Sequence, residues 1–357
     1  MAVSNKSNKS NKSNKSNKSD LDSDELSAVG EESSITLSYA LQSALLAFKT
    51  PNPAVTDPRT ITVSDDLQFR RMNARHRDHL LKKELLKDVV VAEVAAPPPP
   101  LGADEQIATL TVGGTTWLSL TLNLSTDPTT KKFWSDQVND LISMKWHRDE
   151  RMSEIVLQQT DLLSFLTLGL PVAADTHPWL MVLMDIVQAV AFQVATEFKA
   201  IFQMPRPDQL SPMVAPIIRT PAHSAVPSGH ATEAFAAAAV LGALFPDHKT
   251  QVRLMAARIA MNRSFAGVHF IVDHHAGAIL GDALGMLVSK RVLGAPTNPI
   301  PVRGDFTVGK KPAVGSPFGA DVENYAGLPP VFAMASGANP AAGRLLGLLM
   351  QRVRAEL

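Results

Sequence analysis

Three short polar clusters in the second half of the chain combine residue types suited to holding a tetrahedral oxyanion. In chain order they are Lys199 with Arg206-Pro207, then Pro227-Ser228-Gly229-His230, then Arg263 with His269 and Asp273. They supply one lysine, two arginines, a Ser-Gly pair typical of a helix start, and two histidines. Cationic side chains and the free N–H groups of a helix start are common donors to anions. Their succession along one chain indicates an enzyme that handles oxyanions.

The first cluster lies where a predicted helix ends. Lys199 and Arg206 are seven residues apart, so a continuous helix would place them on one face. Pro205 and Pro207 interrupt such a helix, which puts Lys199 in its last turns and Arg206 in the exit loop. A guanidinium fixed in a rigid loop suits bidentate contact with an anion. The alternative is a basic last turn that the helix dipole favours.

The second cluster predicts a helix start. Ser228 is a natural N-cap, and Gly229 lets the backbone approach a ligand closely. His230 would then lie in the first turn, where it can donate or accept a proton beside a bound anion. The alternative is ordinary capping with an incidental histidine.

The third cluster predicts an oriented imidazole. His269 and Asp273 are at positions i and i+4, so we expect them on one face of a helix, with Arg263 upstream. A carboxylate on one ring nitrogen leaves the other free as a nucleophile or ligand. A surface salt bridge is one alternative, and a cation site with His274 and His275 is another. The nearby arginines and the lack of a second carboxylate argue against a divalent metal.

These motifs resemble the signature of the type 2 phosphatidate phosphatase and vanadium haloperoxidase superfamily, which includes soluble bacterial haloperoxidase-like proteins. The signature reads Lys-x6-Arg-Pro, Pro-Ser-Gly-His and Ser-Arg-x5-His-x3-Asp, and the resemblance covers about residues 150–295. Asn262 stands where the family has serine, and an asparagine retains hydrogen-bonding capacity. The resemblance implies a mainly α-helical bundle of the acid phosphatase and vanadium haloperoxidase type.

The resemblance also implies roles for the polar residues. It suggests that vanadate or phosphate lies among the oxygen-binding groups Lys199, Arg206, Ser228, Gly229 and Arg263. His269 would bond the central atom, as a vanadium ligand or as a nucleophile toward phosphorus, with Asp273 behind it. His230 would act on the opposite, apical side.

The same cage serves two reactions. A haloperoxidase would keep vanadate on His269 and oxidise halide with hydrogen peroxide, with His230 transferring protons and Lys199 polarising the peroxide. The alternative is a soluble acid phosphatase that cleaves a phosphate ester through a phosphohistidine. His223 resembles a second pocket histidine of bromide-oxidising members, and the run from Arg263 to His269 resembles the haloperoxidase sequence. We therefore favour the haloperoxidase over the phosphatase, and both over a non-catalytic bundle.

Composition restricts the remaining possibilities. The formal net charge is +0, which gives no support to nucleic acid as a partner, and there are no cysteines for disulfides or thiolate sites. Five Asn-Lys-Ser units near the N-terminus have no apolar stretch behind them, so we expect no signal peptide. Polar residues interrupt the apolar stretch 178–198, which we interpret as a bundle helix rather than a membrane span. We expect a soluble protein, cytoplasmic rather than exported.

The chain divides into four predicted regions. These are a disordered tail (1–33), an accessory region (34–130), a catalytic helical bundle (131–296) and a C-terminal extension (297–357). The accessory region is predicted to hold a helix at 35–48, a charged surface helix or arm at 67–87, a polyproline spacer at 97–100 and a small β-hairpin near 106–122. The bundle helices are predicted at 132–146, 147–168, 178–204, 230–244, 249–260 and 268–292. The basic amphipathic C-terminus suggests a cap on the bundle or a homodimer contact.

Overall fold

The computed structural model describes Tyr39 and residues 65–94, 105–293, 305–309 and 344–357. These residues are mainly helical and include one four-stranded sheet, which confirms the predicted fold class. The predicted tail (1–33), the polyproline spacer (97–100) and, apart from Tyr39, the predicted helix at 35–48 lie outside the described residues.

The elements follow in chain order. The helices are α1 (Asp65–Arg71), α2 (Ala74–Leu85), α3 (Pro128–Met144), α4 (Met152–Leu157), α5 (Leu163–Leu166), α6 (Pro178–Ile201), α7 (Pro207–Leu210), α8 (Gly229–Leu244), α9 (Lys249–Phe265), α10 (Ile271–Val288) and α11 (Arg344–Glu356). The strands are β1 (Val89–Val94), β2 (Glu105–Val112), β3 (Thr115–Asn123) and β4 (Asp305–Val308). Short 3₁₀ turns lie at Lys145–His147, Asp149–Arg151, Pro212–Val214 and Pro246–His248, and a π turn at Ser289–Leu293.

Helix α8 is the centre of the bundle. Every residue from Ala231 to Leu244 is buried, and α6, α9 and α10 pack around it. Half of these fourteen residues are alanines, which lose no side-chain entropy in a helix and let neighbouring backbones approach closely. A helix that is apolar on all sides must be buried on all sides, and here three neighbours cover it.

A seam of glycines on α10 sets its distance from α8. A Cβ atom at Gly277 would lie 2.6 Å from the carbonyl oxygen of Ser228, and one at Gly281 would lie 2.6 Å from that of Thr232. Gly285 continues the seam one turn later, against the side of α8. Because backbone atoms occupy that space, no larger residue fits while the helices keep this separation.

The β-hairpin predicted near 106–122 is present but is not a separate accessory element. Strands β2 and β3 turn at Gly113 and Gly114, whose φ angles of 57° and 77° suit a type I′ turn. The sheet has the order β1-β2-β3-β4, with β4 parallel to β3. Leu118 and Leu120 are fully buried in the core shared with the helices. An alternating strand with one apolar face needs such a cover.

The ends of the described chain pack on α6. Glu356 of α11 accepts hydrogen bonds from the backbone N–H groups of Trp179 and Leu180 at the start of α6. The apolar face of α11 is buried in the common core, so α11 caps the bundle, one of its two predicted roles. Among the described residues, α6 is the one helix long and apolar enough to cross a membrane by length and composition, and 56% of its most apolar window is buried in the protein.

Two helix predictions in the bundle are wrong. The helix expected over 147–168 is broken into α4, α5 and short turns, because Asp161 caps the backbone N–H of Ser164 at 3.0 Å and starts a new turn. The helix expected from Val268 begins at Ile271, so His269 lies in the preceding loop. The charged segment at 67–87 forms α1 and α2, which bury Phe69, Leu81 and Leu85 in the core rather than lying wholly on the surface.

Candidate active site

The end of α6 delivers the first cation to a buried cleft. Lys199 lies in the last turn of α6 and is 7% exposed. Its Nζ donates hydrogen bonds to the backbone carbonyls of Ser224 (2.8 Å) and Ala225 (3.3 Å). Burial, and next the charge of Arg206, hold the pKa of Lys199 well below its ordinary value. The two carbonyls are neutral and do not balance the charge of the ammonium, so a nearby anion would stabilise it.

Arg206 links the exit loop to two histidines. As predicted, it follows the end of α6, and it precedes Pro207 at the start of α7. Its Nη1 donates to the Val268 carbonyl (2.7 Å) and to Nε2 of His269 (3.0 Å). Its Nη2 lies 3.0 Å from Nδ1 of His223. Burial lowers the pKa of Arg206 to about 10, so the group stays charged at neutral pH.

The start of α8 contributes backbone donors. Ser228 has the extended backbone of an N-cap, and its side chain accepts from the N–H of Ala231 at 3.4 Å. A Cβ at Gly229 would find only Oε1 of Glu233, at 3.8 Å, within contact range, so the space beside this glycine is open. An uncovered first turn with free N–H groups favours an anion.

His230 lies in the first turn of α8, and its ring is already hydrogen bonded. Nε2 lies 3.1 Å from the carbonyl oxygen of Gln158, which can only accept, so Nε2 carries the proton. Burial, and next the charge of Arg263, hold the pKa of His230 well below its ordinary value. The ring is therefore neutral at pH 7, and Nδ1 is the nitrogen that has a lone pair for proton exchange.

Arg263 is a buried cation whose hydrogen-bonding groups are only partly satisfied. It lies on the last turns of α9, because this helix extends to Phe265, beyond the predicted end at Ala260. One of its nitrogens, Nη2, donates to the carbonyl of Ile155 at 2.9 Å and to Oε1 of Gln158 at 3.4 Å. Its Nε and Nη1 are buried with no partner in the described structure. Unpaired buried donors on a charged group are costly, so an acceptor that reached them would stabilise the protein.

His269 is held by a carboxylate at the start of α10. Its Nδ1 lies 2.9 Å from Oδ2 of Asp273, and this oxygen also accepts from the N–H of Phe270 at 2.9 Å. Because Arg206 can only donate, Nε2 of His269 carries the lone pair and Nδ1 the proton. Burial and the nearby Arg206 hold the pKa of His269 well below its ordinary value. Burial raises that of Asp273 to about 7.

The geometry of this pair corrects one expectation. His269 and Asp273 meet, but not as neighbours on one helix face, since His269 precedes α10 by two residues. Asp273 is at the third position of the helix, where a carboxylate caps the helix start and turns back toward the loop. The cap therefore orients the imidazole, and the N–H of Ser228 on the backbone carbonyl of Asp273 (3.0 Å) ties the pair to α8.

Other polar residues brace the site from behind. The amide of Asn262 donates to Glu154 (3.0 Å) and to Gln158 (2.9 Å), so it acts in a network behind Arg263. Ser264 donates to the carbonyl of His269 at 3.1 Å and contacts Nε2 of His274 at 2.8 Å. This bonding, and the absence of any cluster of three or more His, Cys, Asp or Glu groups suited to a metal in the described residues, gives no support to the alternative cation site.

The cleft therefore collects three buried cationic side chains. Lys199, Arg206 and Arg263 are 7%, 2% and 1% exposed, and none forms an ion pair within the part of the chain that the structure describes. Arg206 bonds His269, Ser228 bonds the carbonyl of Asp273, and Gln158 bonds both His230 and Arg263, so the three clusters lie together. Such an arrangement is stable only when an anion binds or when stabilising interactions elsewhere in the protein offset its electrostatic cost.

Two groups in the cleft were not identified from the sequence. Gln158 contacts both His230 and Arg263, but it lies far upstream of the motifs, and no sequence signal marks it. Glu233 is 4% exposed, and burial raises its pKa to about 8. A single carboxylate within an alanine-rich apolar helix, three residues after His230, is a sequence signal that could have predicted a buried carboxyl group at the site.

His223 lies at the edge of this cleft, with an exposed side chain. Its Nδ1 is 3.0 Å from Arg206 Nη2 and 3.2 Å from the Ser224 carbonyl. One nitrogen cannot accept from the first and donate to the second, and the shorter, charge-assisted bond to Arg206 is the stronger. The imidazole therefore completes the ring of groups around Arg206 without being buried.

Comparison with known proteins agrees with this geometry. No curated protein matches the chain. The family model described as the PAP2 superfamily matches residues 179–294, which include all three polar clusters. Members of that superfamily are generally enzymes, phosphatases or haloperoxidases. Residues 179–294 are thus similar to the PAP2 superfamily, a match that supports an activity of the phosphatase type or a related one.

Proposed function

We propose that the protein is a vanadium-dependent haloperoxidase, which oxidises halide with hydrogen peroxide at a vanadate held by His269. The observation that carries the proposal is Arg263, whose Nε and Nη1 are buried and unpartnered beside two further buried cations. A tetrahedral oxyanion supplies the acceptors that these donors lack. The lone pair of His269 Nε2 accepts from Arg206 Nη1 in the structure, and it would bond the central atom when Arg206 turns to the oxygens of the anion.

The residues of the cleft fit vanadate. Lys199, Arg206 and Arg263, with the hydroxyl of Ser228 and the first-turn N–H of Gly229, would hold its oxygens. His269 would bind the vanadium through Nε2, because Asp273 fixes the proton on Nδ1. Bound vanadate supplies the activation of hydrogen peroxide toward attack by halide.

The protein's own groups have separate tasks in this reaction. His230 exchanges a proton at Nδ1, since its Nε2–H is engaged by Gln158. Lys199 holds positive charge beside the reacting oxygens, with its ammonium fixed by two carbonyls. His223 orients Arg206 from the edge of the cleft and, being exposed, lies where halide or an organic acceptor would enter.

The second candidate is a phosphatase, which the PAP2 superfamily match favours. In that reaction Nε2 of His269 attacks phosphorus as the ester P–O bond breaks. His230, once Nδ1 has taken up a proton from the bound phosphate monoanion or from water, gives that proton to the leaving oxygen. Water then cleaves the P–N bond, releases phosphate and leaves His269 free again. The three cations would stabilise the charge of the transition state.

One experiment separates the two reactions. The pure protein is incubated with orthovanadate, and bromide or iodide oxidation by peroxide is assayed beside p-nitrophenyl phosphate hydrolysis. We expect halide oxidation that requires vanadate. Phosphate release that vanadate inhibits, without halide oxidation, would replace the proposal by the phosphatase.

The variant His269→Ala is the matched control. It removes the nitrogen that either reaction needs, so halide oxidation and phosphate release should both fall to background. Activity that survives in this variant would mean that the reaction occurs outside this cleft.

A further inference from the structure

Helix α8 carries a buried carboxyl group that the reactions above do not use. Glu233 lies four residues after Gly229, and side chains on a helix lean toward its N-terminus. Its Oε1 would be 3.8 Å from a Cβ at Gly229, so the carboxyl reaches back to the open first turn of α8. Oε1 is buried and has no hydrogen-bond partner in the described structure. A buried polar atom without a partner, aimed at an anion site, points to the ligand as its partner.

The surroundings determine the charge of this carboxyl. On the packed elements and on its own helix, the charged and titratable groups that belong to the cleft are Lys199 (α6), Arg206, Arg263 (α9), His269, Asp273 and His274 (start of α10), and His230 (α8). Of these, Lys199 acts on the pKa of Glu233 and lowers it, whereas burial acts more strongly and raises it to about 8. No ion pair joins Glu233 to Lys199, whose ammonium donates to two carbonyls instead. The group therefore keeps its proton at neutral pH.

We propose that Glu233 enters the oxyanion site as a neutral carboxylic acid whose O–H donates a hydrogen bond to an oxygen of the bound anion. This role rests on the oxyanion site of the proposed function and holds for vanadate and phosphate alike. A neutral acid adds a donor without adding negative charge, whereas an ionised carboxylate would repel the ligand. Glu233 thus selects anions that present an unprotonated oxygen, and it makes affinity fall as the solution becomes alkaline.

Binding of tungstate tests this role without relying on turnover. Tungstate is a tetrahedral dianion whose charge is constant across the neutral range, and calorimetry gives its affinity at about pH 6 and about pH 9. For a folded pKa of about 8, about nine-tenths of Glu233 is ionised at the higher pH. We expect wild type to lose about tenfold more affinity than Glu233→Gln between these conditions, since glutamine donates and cannot ionise.

Glu197→Gln is the matched control, because Glu197 is an exposed carboxylate two residues before Lys199 on α6. It should follow the wild-type profile. Parallel pH profiles for wild type and Glu233→Gln would overturn the proposal. Tighter binding of tungstate by Glu233→Gln at both pH values would also overturn it, because it would mean that the Glu233 carboxylate is ionised at both. Wild type that binds no tungstate would overturn the oxyanion site, and the role of Glu233 with it.

A second measurement applies if Glu233→Gln does not fold. Infrared spectroscopy of the wild type detects the carbonyl stretch of a protonated carboxylic acid. We expect this band at neutral pH and a shift of it when tungstate binds. A spectrum in which tungstate moves no protonated carboxyl band would overturn the proposal.

Discussion

Helix α9 buries two arginines in opposite ways. Arg253 is 3% exposed and forms a two-pronged ion pair with Asp282 of α10, with N–O distances of 2.7 and 3.1 Å. Arg263 is 1% exposed and, among the described residues, meets carbonyl oxygens but no carboxylate. An uncompensated buried charge costs several kcal/mol, so it is retained where a ligand or a reaction offsets the cost. The first arginine joins two helices, and the second would contact the anion of the proposed function.

The largest difference should appear in Arg263→Met. Removing a donor that stabilises developing charge is expected to lower kcat/KM about 10³-fold, or about 4 kcal/mol, in either proposed reaction. The free energy of unfolding without ligand should stay equal or rise, because the unpaired charge is gone. Steady-state kinetics and urea unfolding measure both quantities. A clear loss of stability together with intact catalysis would reverse the assignment of the two arginines.

The same substitution at the other arginine should act on stability. Arg253→Met leaves Asp282 partly buried without its partner, which we expect to cost about 3 kcal/mol of unfolding free energy. Activity per folded molecule should be unchanged, because the carboxylate that Arg253 bonds, Asp282, is not one of the cleft residues. Replacing Asp282 with leucine as well should restore most of the loss. Urea unfolding of the single and double variants tests this.

Ligand addition separates the two arginines in another way. A saturating oxyanion at about one hundred times its dissociation constant should raise the unfolding free energy by about 2.7 kcal/mol. Thermal unfolding with orthovanadate or phosphate should show this gain in wild type and in Arg253→Met, and lose it in Arg263→Met. An equal gain in all three proteins would indicate an anion bound outside the cleft.

The smallest effect is expected at His223, which contacts a third buried arginine, Arg206, from an exposed position. His223→Ala should lower the kcat of halide oxidation about tenfold and phosphate ester cleavage less, since the imidazole lies at the entrance rather than on the reacting atoms. Parallel assays on one preparation compare the two. Equal, small effects on both reactions would remove His223 from the halide pathway.

The two arginines also mark what the sequence could predict. Clustered motifs identified Arg263 because spacing and residue type reflect local chemistry, and helical periodicity predicted the mainly helical fold. The sequence does not predict that Arg253 is buried with a partner, because that partner, the carboxylate of Asp282, lies on another helix. Long-range pairing is decided by tertiary packing, which local patterns do not encode.

The other discrepancies have the same origin. Gln158 enters the cleft because the chain breaks between α4 and α5, and its contacts with α8 and α9 span long stretches of sequence. Strand β4 follows a stretch outside the described residues and joins the sheet parallel to β3, a pairing between distant segments. His269 was expected on a helix because i and i+4 spacing fits one, but a capping carboxylate also connects residues at that spacing.

The glycine seam of α10 has a consequence for evolution and for protein engineering. Replacing Gly277 with alanine would ordinarily stiffen a helix, yet here the new methyl group would push against the backbone of Ser228, a residue of the cleft. The cleft would widen, although the substituted residue never meets a substrate. Substitutions that change the packing between α10 and α8 would therefore also change the geometry of the cleft. Stabilising substitutions should be sought in other parts of the protein.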